Sequence, residues 1–243
     1  MSVASNAEEQ ISVKLKSPDL TSSDLTSPAL KPLNSTPLTA QFETISCAHP
    51  CKKPTLNTWW MWRTATQVEL KKENAQNSEF WTWENGSVNY RFLMHAEKKV
   101  IEYSPVDLKM LNIAADSSKW QKVSNLVLQK DLASMKKTSL KKTYNGLALN
   151  RYDGKIEGVN ADIIWIEPLQ IPLQMTYFYP KHKTTINLLD ANATSSTTSA
   201  TSEQMLNSYE RIDFADIGDM EHSASAKKWL SKAQDAPGFH SHH

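Results

Sequence analysis

The chain has 243 residues, enough for one sizeable domain or a smaller one with tails. Lys and Arg number 27 against 26 Asp and Glu, so the formal net charge is +1 and no basic surplus offers a nucleic-acid face. No apolar run approaches the roughly 18 residues of a membrane-spanning helix, so no transmembrane segment is expected.

The N-terminus MSVASNAEEQISVKLK lacks the basic start and apolar stretch of a secretory signal. Two locations follow: periplasmic or secreted if a signal peptide has been removed, cytoplasmic otherwise. Residues 1–40 are rich in Ser, Thr and Asn, with Pro18, Pro28, Pro32 and Pro37, and read as a disordered tail. The short alternation Ile11, Val13, Leu15 offers the alternative of an arm that adds an edge strand. Residues 41–56 read as a connector carrying the only two cysteines, Cys47 and Cys51. In an oxidising compartment a C-x3-C pair closes a local disulfide. With His49 between them, the same residues are also candidate soft metal ligands.

Residues 57–221 read as a single β-rich domain. Five of the eight tryptophans cluster here, at Trp59, Trp60, Trp62, Trp81 and Trp83. Trp60, Trp62, Thr64, Thr66 and Val68 alternate with their neighbours, as do Phe80, Thr82 and Glu84 after a turn expected at Asn77-Ser78. Asn85-Gly86 between two alternating runs is a strong hairpin signal. Val88, Tyr90, Phe92 and Met94 share one face of the next strand. Alternation alone leaves Arg63 and Glu69 unassigned to a face. Asp116-Ser117-Ser118 supplies N-cap chemistry for one amphipathic helix running to about Lys137. Its apolar stripe is Trp120, Val123, Val127 (or Leu126), Leu132 and Met135. Its opposite face, with Lys119, Lys122, Asn125, Lys130 and Lys136, reads as solvated.

A second group of strands is expected from Thr138 to Leu189, with turns or bulges at Asn145-Gly146 and Asp153-Gly154. Residues 190–208 read as a flexible Ser/Thr-rich loop, too polar for burial. Tyr209–Phe214 returns as a last strand, followed by Asp216, Asp219 and Glu221, for which an Asp-stabilised turn is the simplest reading. Residues 222–243 read as a short helix and a His-rich tail. No nucleophile elbow, phosphate loop or H-E-x-x-H is present, so the chain is read as a non-enzyme. No cofactor is expected beyond copper or zinc held loosely at His240, His242 and His243.

The fold class expected is mainly β (α+β): a curved antiparallel sheet or open half-barrel with one or two helices packed on it. The residues that bear the order of elements are Trp81 to Tyr103, Asp162 to Ile166, the Pro-bracketed Leu169–Leu173 and the closing Ile212-Asp213-Phe214. In that order the chain resembles the periplasmic lipoprotein carriers, the LolA-like half-barrels. The resemblance implies a carrier that holds an acyl chain or lipid, or a lipidated protein, between curved sheet and helix. The lining expected is Trp81, Trp83, Tyr90, Phe92, Trp120, Trp165 and Tyr177. Two rival readings are an accessory subunit docking on a protein partner and a copper- or zinc-handling protein.

Overall fold

The structure, a computed structural model, describes residues 36–192 and 201–219. The expected disordered tail before residue 36, the helix near residues 225–233 and the ligand set His240, His242 and His243 lie outside the described residues.

Six strands come first: β1 (Leu38–Ala48), β2 (Thr55–Arg63), β3 (Gln67–Lys72), β4 (Asn77–Glu84), β5 (Ser87–Met94) and β6 (Lys99–Tyr103). Three short helices follow, α1 (Pro105–Met110), α2 (Ser117–Asn125) and α3 (Gln129–Ser134). Then come β7 (Lys136–Tyr144), β8 (Leu147–Ile156), β9 (Val159–Ile166), β10 (Ile171–Phe178) and β11 (His182–Asn192). The chain closes with α4 (Glu203–Asn207), β12 (Glu210–Asp213) and α5 (Phe214–Asp219).

All twelve strands form one open sheet, ordered β12-β6-β5-β4-β3-β2-β1-β11-β10-β9-β8-β7. Two antiparallel meanders meet at the long β1–β11 seam, where Thr39 faces Asn192 and Ala48 faces His182. β12 joins β6 in parallel. Asn85-Gly86, Asn145-Gly146 and Glu157-Gly158 each place two successive residues at positive φ. That is the twist a two-residue hairpin needs to match its strands.

Several expectations are corrected. The tail-and-connector segment from Leu38 to Ala48 is the central strand β1, with Leu38, Ala40 and Phe42 buried on one face. The run from Trp60 to Val68 is broken at residues 64–66, where Thr64 N–H donates to the Gln67 carbonyl at 2.8 Å. Asn77-Ser78 is strand rather than turn, and the turn lies at residues 73–76. Asp153-Gly154 lies inside β8. A Cβ on Gly154 would stand 2.8 Å from Met135 Cγ, so this glycine serves the close approach of α3 to the sheet.

The single helix expected over 116–137 is two helices. Asp116 caps α2 by accepting from the backbone N–H groups of Ser118 and Lys119, as expected. At Leu126, however, the backbone turns left-handed (φ 68°) and ends the helix. The break lets Val127 and Leu128 point into the core. The face expected to be solvated is so only in part: Lys119 and Asn125 are buried, while Lys130 and Lys136 are exposed.

The helices show that the sheet curls. α2 packs on β5 and α3 on β8, and these strands are eight places apart in the sheet. Laid flat, that separation is roughly 38 Å at about 4.8 Å per strand. Fifteen helical residues and a three-residue link reach only about 32 Å in line. Both ends of the sheet must therefore rise toward the helices. Consistent with this, one apolar cluster draws on both halves of the sheet and on α1–α3.

Candidate functional site

The face beneath α1–α3 is the inner face. Its residues fall in register rows that cross the strands. One row runs Leu38, Arg63, Val68, Trp81, Tyr90 and Tyr103, from β1 to β6. The next runs Ala40, Met61, Leu70, Glu79, Phe92 and Ile101. α2 lies along the first row. Near its start, Lys119 Nζ sits 4.5 Å from the Trp81 ring centre. Near its end, the Ser124 carbonyl accepts from Arg63 at 2.7 Å. Lys122 forms an ion pair with Glu157 in the β8–β9 turn, which ties α2 to the far half of the sheet.

All seven expected lining residues share the inner-face cluster. Trp81, Trp83, Tyr90, Phe92, Trp120 and Trp165 are buried in it, and Tyr177 packs at its margin. Trp81 lies 4.2 Å from Tyr90 between ring centres, and Tyr90 lies 5.0 Å from Tyr103. Trp83 lies 6.2 Å from Trp120 across the sheet–helix gap. These spacings suit offset or tilted aromatic pairs.

Three charged groups sit among these rings, and sequence reasoning assigned none of them to the site. Arg63 is 0% exposed. It donates to the carbonyls of Ser124 and Leu169, both at 2.7 Å, and so joins β2 to the end of α2 and to the β9–β10 turn. Burial lowers its pKa to about 10, which leaves it charged at neutral pH. Glu79 accepts from Trp81 Nε1 at 3.3 Å. Lys119 has its pKa lowered to about 8 by burial, with Glu79 pulling the other way. Burial pushes the hydroxyls of Tyr90, Tyr103 and Tyr177 upward, so all three are neutral. Arg63 was legible in principle, since it is in phase with Trp59 and Met61. Aromatics on both faces of β2 hid that phase.

A second cluster, also missed, lies on the outer face. Glu69 is 1% exposed and accepts from Ser78 Oγ and Thr201 Oγ1, each at 2.7 Å, and from the Thr201 backbone N–H at 3.0 Å. Ser78 Oγ is 3.0 Å from His95 Nε2, and His95 Nδ1 is 2.9 Å from the Tyr209 hydroxyl. One proton arrangement satisfies every member. Ser78 donates to an ionised Glu69, His95 donates from Nε2 to Ser78, and Tyr209 donates to Nδ1. Burial, helped by Lys71, lowers the His95 pKa to about 4 and keeps the ring neutral. Around it, Phe80, Leu93, Val100, Leu206 and Tyr209 form a small apolar core. Thr201 is 1% exposed, so this end of the expected polar loop is buried after all. Its hydroxyl and N–H have a carboxylate to bond. Nothing in this cluster resembles a nucleophile with an accessible face.

Cys47 and Cys51 form a disulfide. That uses up both sulfurs and removes the Cys47/His49/Cys51 metal reading. Among the described residues, no three His, Cys, Asp or Glu side chains are grouped to hold a metal ion. None of their helices is long and apolar enough to cross a membrane. Asp213 accepts from the Ala215 N–H at 3.0 Å at the start of α5, so the acidic segment expected to be a turn is a short helix there.

No family model and no curated protein matches the chain. Among solved structures it is similar to PNGF-II, at 9% identity and a TM-score of 0.39 over 75% of this chain and 32% of that one. The chain thus spans about a third of PNGF-II. It is similar to an outer membrane lipoprotein-sorting protein domain from Vibrio parahaemolyticus, at 10% identity and a TM-score of 0.29 over 73% and 92% of the two chains. It is also similar to a LolA superfamily protein from Nitrosomonas europaea, at 6% identity and a TM-score of 0.29 over 68% and 89%.

Proposed function

We propose that the protein is a non-catalytic carrier that holds an apolar chain between the inner face of its curled sheet and α2–α3. The observation that carries this reading is how the inner face is covered. Rows of large apolar and aromatic side chains from both meanders are roofed by three helices of six, nine and six residues. Helices this short hold their shape by packing rather than by their own hydrogen bonds, so they are the cheapest part of the core to displace. Polar ties between the roof and the sheet run from Arg63 to the end of α2, from Lys122 to Glu157 and from Gln129 to Gln170. An apolar chain entering there replaces helix–sheet contacts with its own.

Titration with the neutral apolar dye N-phenyl-1-naphthylamine tests the proposal, together with native mass spectrometry of freshly purified protein. Saturable dye binding that falls in Trp83→Ser and Trp165→Ser variants is expected. A folded protein that binds no dye and carries no apolar adduct refutes it.

A second reading, docking on a protein partner, is favoured by Val106 and Met110 on α1, which are 64% and 73% exposed. A double serine variant at these positions that keeps dye binding but loses a co-purifying protein would select it.

A further inference from the structure

We propose that the carried molecule is an amphiphile with an anionic head group, which becomes the counter-ion of Arg63 beneath the end of α2. This inference rests on the carrier reading and names the class of ligand.

The buried polar groups of the inner face are out of balance. Arg63 carries a full charge with every nearby partner neutral. These partners are the carbonyls of Ser124, Leu169 and Thr36 and the Asn125 side-chain oxygen, at 2.7, 2.7, 3.5 and 3.4 Å. Among the described residues it makes no ion pair within 4.0 Å, and its Nε–H has no acceptor. Trp120, on α2 above the same face, likewise leaves its Nε1–H without an acceptor. Both groups can only donate. A buried cation without a counter-ion and a buried donor without an acceptor are each costly, and the negative end of a nine-residue helix offsets the charge only in part.

The other carboxylate of this face cannot serve. Glu79 is two strands from Arg63 and is engaged by Trp81 Nε1 and the charge of Lys119. An apolar chain alone would deepen the imbalance by excluding water. A carboxylate or phosphate supplies the missing charge and acceptor oxygens together. The chain then has a path, because Val68, Trp81 and Tyr90 continue the Arg63 row across three more strands, roughly 14 Å at the strand spacing.

The test uses the full chain loaded with N-phenyl-1-naphthylamine and displaced by dodecanoic acid, dodecyl phosphate or dodecan-1-ol. These share a chain and differ in the head. The acid and the phosphate should displace the dye at about tenfold lower concentration than the alcohol, the scale of one charge-assisted contact. Arg63→Met should collapse that ratio toward one. Trp120→Phe, which keeps an aromatic ring without the N–H, should narrow it and serves if Arg63→Met does not fold. Equal displacement by all three in the wild type overturns the head-group inference and leaves the carrier reading standing. So does a ratio unchanged in the variants. Failure of the dye to bind overturns the carrier reading and this inference with it.

Discussion

Thr201→Val gives the sharpest test of the outer-face cluster. Valine has the shape of threonine, so the change removes one hydroxyl without opening a cavity. Glu69 loses the 2.7 Å contact from Thr201 Oγ1 and keeps the bonds from Ser78 Oγ and the Thr201 N–H. A hydrogen bond to a charged group contributes about 1.5–3 kcal/mol. With two donors remaining, a loss near the lower end is expected, about 1.5–2 kcal/mol in urea unfolding near pH 7.5. The sign of the pH dependence follows from burial, which raises the Glu69 pKa above its ordinary value. A raised folded-state pKa means the ionised carboxylate costs stability at neutral pH, and protonation relieves that cost. Removing a donor raises the pKa further. The deficit of the variant relative to wild type should therefore shrink on acidification from about pH 7.5 to about pH 5. A deficit under about 0.5 kcal/mol at neutral pH, within the range of ordinary surface changes, would refute the account. So would a deficit that grows on acidification.

The remaining predictions concern the neighbours of these sites. His95 has a lowered folded-state pKa, so its contribution is fully present above its unfolded value near 6.5 and is lost as pH falls toward about 4. After discounting for partial exposure this is roughly 1–2 kcal/mol, and a His95→Gln variant should show a flatter stability profile across that window. Gly154→Val should cost about 1–3 kcal/mol by pushing on Met135 at the end of α3, and thermal unfolding reads it directly. Val106→Ser and Met110→Ser should each change stability by less than about 0.5 kcal/mol, because both side chains face solvent. Chemical unfolding with a larger loss at either position would show that α1 is packed more tightly than its exposure indicates.

What the sequence determined by itself is local. Asn85-Gly86 and Asn145-Gly146 mark hairpins because only a few residue types accept two successive positive φ values. The alternation from Trp81 to Tyr103 marks strands. The apolar stripe of residues 120–135 marks a segment laid on the sheet, and Trp120, Val123, Val127, Leu132 and Met135 in it are buried. What only the tertiary structure decided is phase and partnership. β1 was not legible because Leu38, Ala40 and Phe42 alternate inside a Ser/Thr/Pro-rich stretch, and their burial depends on β11, about 140 residues later in the chain. The break at Leu126 was hidden because a continued helix and a left-handed turn both carry the same residues onto the core. Arg63, Glu69 and Lys119 look like ordinary surface charges in sequence. Curling of the sheet places Arg63 and Lys119 under and on α2, and the return of Thr201 and Tyr209 over the outer face seals Glu69. A charged side chain is assigned by what surrounds it, and those surroundings come from strands and helices far apart in the chain.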